Sequence, residues 1–428
     1  MTSLARFAAD VVGPDAPVAF RTWDGERAGP ASAAATVVIN SPDALTRILQ
    51  APGQLGLGRA YVAGDLDVEG DIFAVLDLPE VVGGIHLDIR QWSRLAGLAG
   101  PGLLRPLPPP PGEAHLRGTR HSRERDRAAV AHHYDVSNEF FSIVLGPSMT
   151  YSCAVWSDPA GTLEEAQAAK YELVCAKLGL QAGDRLLDVG CGWGGMVCHA
   201  ARRHGAAAVG ITVSRRQQEW GLRAVGKESL DGKVEIRLQD YRETDDGPYD
   251  AISSIGMSEH VGRSRLSTYF NQLHRLLRPG GRLLNHCITA LPRATPSGWR
   301  AAGARVTGGN RHAGFGRRSF MDRYVFPDGE LIEVGKVIST MQQAGFEVRH
   351  VESLRDHYGL TLRRWVANLE AGWDDAVAAA GLPRARTWRL YMAASARTFE
   401  TGRTGIHQIL AVKPDNGRSG LPLRPHFG

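Results

Sequence analysis

The sequence predicts an α/β protein in which a doubly wound, seven-stranded parallel sheet forms the larger domain and a smaller N-terminal domain precedes it. Three observations lead to this prediction. The chain has 428 residues, enough for two or three domains at about 150 residues each. A proline-rich segment at residues 101–112 interrupts the chain, and from about residue 160 strand-like runs alternate with helical ones.

The composition excludes several classes of protein. Hydrophobic residues make up 43% and charged residues 22%, values typical of globular proteins, so a disordered chain, a coiled coil and a collagen-like fibre are excluded. Fifty basic residues against 45 acidic ones give a formal net charge of +5. This excess is too mild for a dedicated nucleic-acid binder, and no nucleic-acid partner is expected.

The five cysteines predict neither disulfides nor a metal site. Their number is odd and no C-x-x-C spacing occurs, so no structural zinc site is expected. The N-terminus has no unbroken apolar core of the signal-peptide type, and no run approaches the ~18 apolar residues of a membrane-spanning helix. We expect a reduced, cytoplasmic protein that meets a membrane only peripherally, at its inner face.

The elements before residue 129 form the predicted small domain and a linker. Residues 1–100 contain the strand-like run Val37–Asn40 and a glycine-punctuated run at 56–71, with no catalytic pattern. Residues 101–128 are the linker, whose consecutive prolines lack amide donors and hold an extended conformation. Its stretch Arg117–Arg127 has five arginines and two acids. That stretch is either a solvated linker or helix face, or an electrostatic foot for an anionic membrane surface.

The larger domain is predicted to span residues 129–428. Thr162 and Glu165 form a T-x-x-E capping box that opens an amphipathic helix. Seven strand-like runs are present, at Arg185–Val189, Ala207–Thr212, Val234–Leu238, Asp250–Ile255, Arg282–Ile288, Phe346–Val351 and Ile406–Val412. Helical stretches separate most of them, which favours a parallel sheet covered on both faces.

A glycine-rich turn after the first of these strands predicts a nucleotide-type cofactor site. The run L-L-D-V-G-C-G-W-G-G-M places Asp188 at the strand end and Gly190, Gly192 and Gly194 in the turn. Glycines let the backbone approach a ligand, and the following helix offers free amide donors. The spacing differs from the G-x-G-x-x-G of dinucleotide enzymes. Together with the carboxylate it predicts S-adenosylmethionine.

Further cofactor contacts are predicted at the ends of the next two strands. An acidic residue that binds ribose usually ends the second strand, but Thr212 stands there. Thr212 and Gln217 are the predicted ribose ligands, although Ser214 and Gln217 also form an S-x-x-Q capping box, and both roles stay open. Asp240 and Tyr241 follow the third strand and are predicted to contact adenine; the alternative for Asp240 is a solvated loop carboxylate.

Several further motifs resemble one known family, the cyclopropane-fatty-acyl-phospholipid synthases with the mycolic acid cyclopropane synthases and fatty-acid methyltransferases. The resemblance rests on A-H-H-Y-D-V-S-N-E-F-F (131–141), M-T-Y-S-C-A-V-W (149–156), D-V-G-C-G-W-G-G, Q-D-Y-R, G-M-S-E-H-V-G (256–262), L-N-H-C-I (284–288), R-Y-V-F-P-D-G (323–329) and D-H-Y-G-L-T-L (356–362). It spans most of the chain and implies a class I S-adenosylmethionine methyltransferase sheet with an acyl-binding insertion at about residues 289–360. It also implies that the N-terminal domain, residues 1–100, engages lipid.

The resemblance implies methyl transfer to the cis double bond of an unsaturated acyl chain of a phospholipid. It places a bound bicarbonate ion, acting as base, in a cage of five residues: Cys153, Glu259, His286, the backbone of Ile288, and Tyr358. It also makes Tyr151 and Ser152 cofactor contacts. An oxyanion in an apolar pocket needs hydrogen-bond donors, and burial beside an anion raises the pKa of a carboxyl group.

Two products, and one non-enzymatic role, remain open. Proton loss from the added methyl group gives a cyclopropane. The same cation can instead give a 10-methylene chain, which a partner reductase converts to a 10-methyl chain. The remote alternative is a non-catalytic partner that binds S-adenosylmethionine or lipid. A homo-oligomer is expected in each case.

The chain departs from the family pattern at several positions. Ser258 replaces a bulky apolar residue, and Asn285 and Cys287 flank His286 where Leu and Thr are common, so a reshaped acyl pocket is expected. Ser395 stands where many relatives have cysteine, so no catalytic thiol is assigned there. The segment Leu291–Ser319 is unusually rich in Gly and Arg. It is either a surface loop or a lid that docks on lipid head groups or on a partner enzyme.

Overall fold

The computed structural model describes residues 3–78, 91, 93–95, 97, 105–134, 136–291 and 319–427. Two compact units make up the chain. The first comprises Met1–His115, Gly316–Pro327 and Trp373–Arg397, and the second comprises Leu116–Phe315, Asp328–Gly372 and Thr398–Gly428. The first unit therefore includes two stretches from late in the chain, whereas the sequence predicts a small domain made of residues 1–100 alone.

In chain order, the described helices and strands are α1 (Leu4–Val12), β1 (Val18–Thr22), β2 (Arg27–Ala28), β3 (Ala35–Ile39), α2 (Asp43–Gln50), α3 (Gln54–Ala63), β4 (Leu66–Gly70), α4 (Ile72–Leu76), α5 (Arg123–Tyr134), α6 (Asn138–Leu145), α7 (Leu163–Leu178), β5 (Arg185–Val189), α8 (Gly195–His204), β6 (Ala207–Thr212), α9 (Arg215–Lys227), β7 (Val234–Leu238), a 3-10 turn (Tyr241–Glu243), β8 (Tyr249–Ile255), α10 (Ser258–Val261), α11 (Leu266–Leu276), β9 (Leu277–Ala290), α12 (Phe320–Tyr324), β10 (Ile332–Glu333), α13 (Val334–Gln343), β11 (Glu347–Ser353), α14 (Arg355–Ala371), α15 (Trp373–Ala380), α16 (Leu382–Glu400) and β12 (Thr404–Val412).

The first unit is built on a four-stranded sheet in the order β2-β1-β3-β4. Two buried arginines of α16 join that late helix to it. Arg389 donates to the Tyr61 hydroxyl at 3.0 Å and to the Val68 carbonyl at 3.2 Å, and Arg386 donates to the Tyr61 carbonyl at 3.0 Å. Buried guanidinium groups are tolerated only where acceptors of this kind satisfy them. The late helix is therefore part of this unit's core.

The second unit contains the predicted sheet, in the order β11-β12-β9-β8-β5-β6-β7, with the short strand β10 beside β9. The seven strands lie where the sequence places them, and among the described residues only the two-residue β10 is additional. Strands β5 to β9 pair in parallel, and β12 is antiparallel to both of its neighbours. The predicted α/β class with a mostly parallel sheet is confirmed.

Helices cover both faces of this sheet. One core joins α7 and α8 to the side of β9 that carries Leu284, and the other joins α11 and α13 to the side that carries Cys287. The capping box that opens α7 is present, because Glu165 N donates to Thr162 Oγ1 at 3.2 Å and Thr162 N donates to Glu165 Oε2 at 3.0 Å. Two α-helical layers therefore enclose the strands, as their alternation predicts.

The basic stretch Arg117–Arg127 is largely occupied by ion pairs within the second unit. Arg120 and Arg125 both pair with Asp328, and Arg123 pairs with Glu243 at 3.1 Å. These pairs leave fewer arginines for the predicted contact with anionic lipid. Of the Gly/Arg-rich segment Leu291–Ser319, residues 292–318 lie outside the described residues, as do residues 101–104 of the linker. No helix in the described part of the chain has the length and apolarity needed to cross a bilayer.

Candidate active site

A cavity of the second unit lies at the carboxyl ends of β5, β6 and β8, where the strand order reverses direction. Ligands of open α/β sheets bind at this position. The space between the lining atoms, counted out into the solvent at the mouth of the cavity, is about 1260 Å³. The turn between β5 and α8 forms its floor. There Gly190 has φ +79°, and a Cβ at this position would lie 2.5 Å from the sulfur of Met257. Glycine is therefore required on both counts.

Nine of the ten predicted cofactor contacts line this cavity. They are Tyr151, Ser152, Asp188, Gly190, Gly192, Thr212, Gln217, Asp240 and Tyr241. The tenth, Gly194, is not among the lining residues. It is the N-cap of α8 with φ +89°, and a Cβ there would lie 3.3 Å from Ile236. Its role is to turn the chain into the helix.

Asp188 is a buried carboxylate opposite a buried lysine. The Ser253 hydroxyl donates to Asp188 Oδ1 at 2.6 Å, and burial raises the pKa of Asp188 to about 6. Lys170 of α7 also lines the cavity, donates to the Ser152 hydroxyl at 3.2 Å, and has its pKa lowered by burial to about 7. Each group favours the charged form of the other. Sequence reasoning missed Lys170, although a lysine within the apolar stripe of α7 was the available signal.

Thr212 and Gln217, the two predicted ribose ligands, form a hydrogen bond with each other. Thr212 Oγ1 donates to Gln217 Oε1 at 2.7 Å, and the Ser214 hydroxyl accepts from Gln217 N at 3.3 Å. Only one half of the predicted S-x-x-Q capping box is therefore seen in the described structure, because the Gln217 side chain is engaged by Thr212. Both side chains still face the cavity, and their hydroxyl and amide groups can exchange this bond for a ligand.

Asp240 is buried and paired, so the solvated-loop alternative does not hold. It caps the 3-10 turn and accepts from Arg242 Nε at 2.8 Å and from Arg242 Nη2 at 2.6 Å. Although burial opposes ionisation, the hydrogen bonds from Arg242 lower the pKa of Asp240. Its neighbour Tyr241 packs edge-on against Tyr269 with ring centroids 4.8 Å apart. The carboxylate is thus held charged at the rim of the cavity.

Glu259 and Ile288, two of the five predicted cage residues, are in direct contact. Ile288 N donates to Glu259 Oε1 at 2.6 Å, so Glu259 takes the amide that the family resemblance gives to the anion. The other oxygen, Glu259 Oε2, is buried and has no partner among the described residues. Burial raises the pKa of Glu259 to about 7. This carboxyl group can therefore hold or release a proton near neutral pH.

His286 is held as a neutral imidazole with its proton on Nε2. Gln408 Oε1 accepts from the buried Lys177 at 2.6 Å, so the Gln408 amide nitrogen faces His286 Nδ1, at 3.3 Å, and donates to it. Burial lowers the pKa of His286 well below its ordinary value. The Nε2 atom is buried without a partner in the described structure. Sequence reasoning missed Gln408 and Lys177, since polar residues inside apolar elements signal burial but not a partner.

Cys153 and Tyr358 meet at the carbonyl of Leu354. The Cys153 thiol lies 3.7 Å from that oxygen and 3.2 Å from the Ala154 carbonyl, and Tyr358 N donates to the same Leu354 oxygen at 3.1 Å. Burial raises the pKa of the Cys153 thiol, which is therefore neutral and not a nucleophile. The Tyr358 ring packs 4.6 Å from that of Phe399.

None of the five predicted cage residues lines the cofactor cavity, and Lys170, which does, acts electrostatically on two of them. After burial, the Lys170 ammonium is the next influence on the pKa of both Cys153 and His286. It also donates to Ser152 inside the cavity. Two of the predicted cage residues, Cys153 and His286, are therefore electrostatically coupled to the predicted cofactor site through one lysine.

The reshaping of the acyl pocket expected from Asn285 and Cys287 stays a prediction, and the structure shows which face of β9 these residues occupy. Side chains alternate along a strand, and these two residues lie on the face of β9 opposite His286. Asn285 Oδ1 accepts from the Ser258 hydroxyl at 3.1 Å, and Asn285 Nδ2 lies 3.2 Å from the Cys287 sulfur. The three departures thus form one buried network under α10. It positions Glu259, which follows Ser258 directly.

The buried Glu259 carboxyl makes stability depend on pH in a defined direction. Its folded-state pKa of about 7 exceeds the ordinary 4.5, so its stabilising contribution is complete below pH 4.5 and is lost as the pH rises to 7. We expect the difference in the free energy of unfolding between Glu259→Gln and the wild type to shift in favour of the variant from pH 5 to pH 8, by at most roughly 3 kcal/mol. Urea unfolding in buffer free of carbon dioxide measures this difference. An equal difference at both pH values would contradict the burial of this carboxyl.

Comparison with known proteins places the chain among lipid-modifying methyltransferases. The family described as mycolic acid cyclopropane synthetase matches residues 121–409. The chain is 45% identical to a probable fatty acid methyltransferase of Mycobacterium tuberculosis, over 96% of this chain and 94% of that protein. It is 32% identical to the cyclopropane-fatty-acyl-phospholipid synthase of Escherichia coli, over 87% and 90% respectively. A mycolic acid cyclopropane synthase crystallised with SAH and CTAB superposes with a TM-score of 0.60 at 34% identity, over 67% of this chain and 98% of that one.

Proposed function

The chain belongs to the mycolic acid cyclopropane synthetase family, and from this premise we propose that it converts cis double bonds in the acyl chains of phospholipids into cyclopropane rings. It is an S-adenosylmethionine-dependent methyltransferase of that family, acting on fatty acyl chains. The phospholipid substrate, the ring product and a bound bicarbonate ion are proposals for this chain.

The observation that carries the proposal is that two buried polar atoms of the predicted cage, one on His286 and one on Glu259, have no partner among the described residues. His286 Nε2 is an N–H donor, and Glu259 Oε2 belongs to a carboxyl with a pKa of about 7. A buried polar atom without a partner costs about 1–3 kcal/mol, and a ligand that bonds to such an atom would remove that cost. A small oxyanion such as bicarbonate fits a donor and a proton-sharing carboxyl. When bound, bicarbonate supplies a base in an otherwise apolar pocket.

The first chemical step needs the residues of the cofactor cavity. Asp188 and Lys170 supply one negative and one positive group for the charged ends of the methyl donor. The S–CH3 bond breaks as one alkene carbon takes the methyl group, and the neighbouring carbon becomes a cation. An alkene is a weak nucleophile, so positioning is the main contribution of the protein.

The second step removes a proton from the transferred methyl group. The electron pair of that C–H bond then closes the three-membered ring on the cationic carbon, and the proton passes to the base. His286 orients the base through Nε2–H, and Glu259 shares or receives the proton at Oε2. Burial of both groups keeps water away from the cation, which water would otherwise capture.

Lipid mass spectrometry tests this proposal. We expect expression in a host without cyclopropane lipids to add one CH2 to unsaturated phospholipid chains, and mild reduction to leave the product unchanged. A product that takes up two hydrogens under mild reduction would instead be the 10-methylene chain that a partner reductase could use. If no CH2 is added although the purified protein binds S-adenosylmethionine, the non-catalytic role is supported.

A further inference from the structure

Four side chains with metal-binding groups converge between α7 and α8, outside the site described above. They are Glu172 and Cys175 from α7 and His199 and His204 from α8. One ligand atom from each of Cys175, His199 and His204 lies within 4.8 Å of the other two. The Glu172 carboxylate lies 3.1 Å from His199 Nε2 and 3.2 Å from His204 Nε2.

The positions of the four residues along α7 and α8 explain why their side chains lie close together. Glu172 and Cys175 are three residues apart on α7 and therefore share a face. His199 lies in the middle of α8 and His204 is its last residue, and both rings reach the same carboxylate of α7. Cys175 and His199 are buried, whereas the His204 side chain is 20% exposed. The Glu172 side chain is 52% exposed, so an ion can reach the cluster from solvent on the side of Glu172 and His204.

The donor set has a distinct preference among metals. One sulfur, two imidazole nitrogens and one carboxylate oxygen make a four-coordinate group that suits zinc. Zinc bonds of about 2.0–2.3 Å require the donor atoms to lie closer together than the 4.8 Å within which they are found here. The sequence predicts no metal here because C-x-x-C is absent. The structure instead brings together E-x-x-C and H-x4-H from two helices.

We propose that Glu172, Cys175, His199 and His204 bind a zinc-class divalent cation that clamps α7 to α8. Binding exchanges the Cys175 thiol proton for the metal, and that proton leaves to solvent on the exposed side of His204. The clamp adjoins the cofactor cavity. The His199 ring packs 5.6 Å from that of Tyr171, and Tyr171 and Lys170 of α7 both line the cavity. The ion therefore fixes one wall of that cavity.

Cobalt and zinc titrations of the full-length protein, without an affinity tag and after treatment with a chelator, test the site. We expect one equivalent of Co²⁺ to bind and to give the intense visible bands of a tetrahedral site, with a near-ultraviolet thiolate band. Zn²⁺ should displace it stoichiometrically. No stoichiometric binding would overturn the proposal, and the four residues would then be a hydrogen-bonded cluster only.

Variants assign the site to its residues. Cys175→Ser should abolish the thiolate band. His204 is the most exposed of Cys175, His199 and His204. His204→Gln should therefore weaken Zn²⁺ binding at least tenfold without unfolding the protein. The matched control is Cys198→Ser, which changes a buried cysteine of α8 outside the cluster and should leave both readouts unchanged. Equal affinity in the wild type and His204→Gln, or loss of binding in Cys198→Ser alone, would contradict the assignment.

Discussion

Glu259→Gln should reduce product formation by about 100- to 10,000-fold, the usual contribution of a positioned acid or base. Glutamine keeps an oxygen that can accept from Ile288 N, so the local backbone bond is preserved. The amide cannot take up or release the proton at the second position, which is the buried Oε2 of the wild type. Product measured against time with S-adenosylmethionine and unsaturated phospholipid vesicles gives the rate ratio.

The control for this variant is Glu219→Gln, which changes a carboxylate on α9. It should leave the rate within a factor of two of the wild type. Binding of S-adenosylmethionine should be retained in both variants, because Glu259 does not line the cofactor cavity. A Glu259→Gln variant that is folded, binds the methyl donor and still turns over at more than a tenth of the wild-type rate would exclude Glu259 from proton transfer.

Asp188→Asn should weaken binding of S-adenosylmethionine by about 10- to 150-fold, which corresponds to the roughly 1.5–3 kcal/mol of a hydrogen bond to a charged group. The substitution keeps the side-chain shape and the bond from Ser253, but it removes the negative charge beside the cavity's glycine turn. It also takes away the carboxylate that favours the charged form of the buried Lys170. Isothermal titration with S-adenosylmethionine and S-adenosylhomocysteine measures the loss.

Glu235→Gln, which changes an exposed carboxylate on β7, serves as the control and should bind the methyl donor with unchanged affinity. The unfolding temperature of each variant shows whether the fold is retained. If Asp188→Asn is folded and its dissociation constant changes by less than threefold, Asp188 does not contact the donor, and the cavity must hold it in another way.

The sheet of the second unit was predictable because its local signals agree with one another. The strands from Arg185 onward are short apolar runs separated by helical stretches. The glycine-rich turn after β5 is typical of a nucleotide-type cofactor site. The composition of the first unit was not predictable in the same way. Arg386 and Arg389 of α16 bond to Tyr61 and its neighbours more than 300 positions earlier, and no local pattern reports so distant a contact.

Some residues of the candidate site were predictable from local signals, and others were not. Asp188, Gly190 and Thr212 follow from their positions at strand ends, where side chains meet at one edge of a parallel sheet. Lys170 and Gln408 lie inside a helix and a strand, and only the folded chain shows what they face. The expectation that Asn285 reshapes the acyl pocket depended on sequence proximity alone. Its sequence neighbour His286 suggested the acyl pocket, whereas strand alternation points it to the opposite side of the sheet.

Counting the hydrogens of the transferred methyl group tests the proposed proton removal without relying on a variant. The purified protein is supplied with S-adenosylmethionine that carries a CD3 group, and the modified acyl chain is weighed by mass spectrometry. If a base held by Glu259 and His286 deprotonates that group, the product retains two of its three deuterium atoms. A product that keeps all three, or an acyl chain without label, contradicts proton removal at this site.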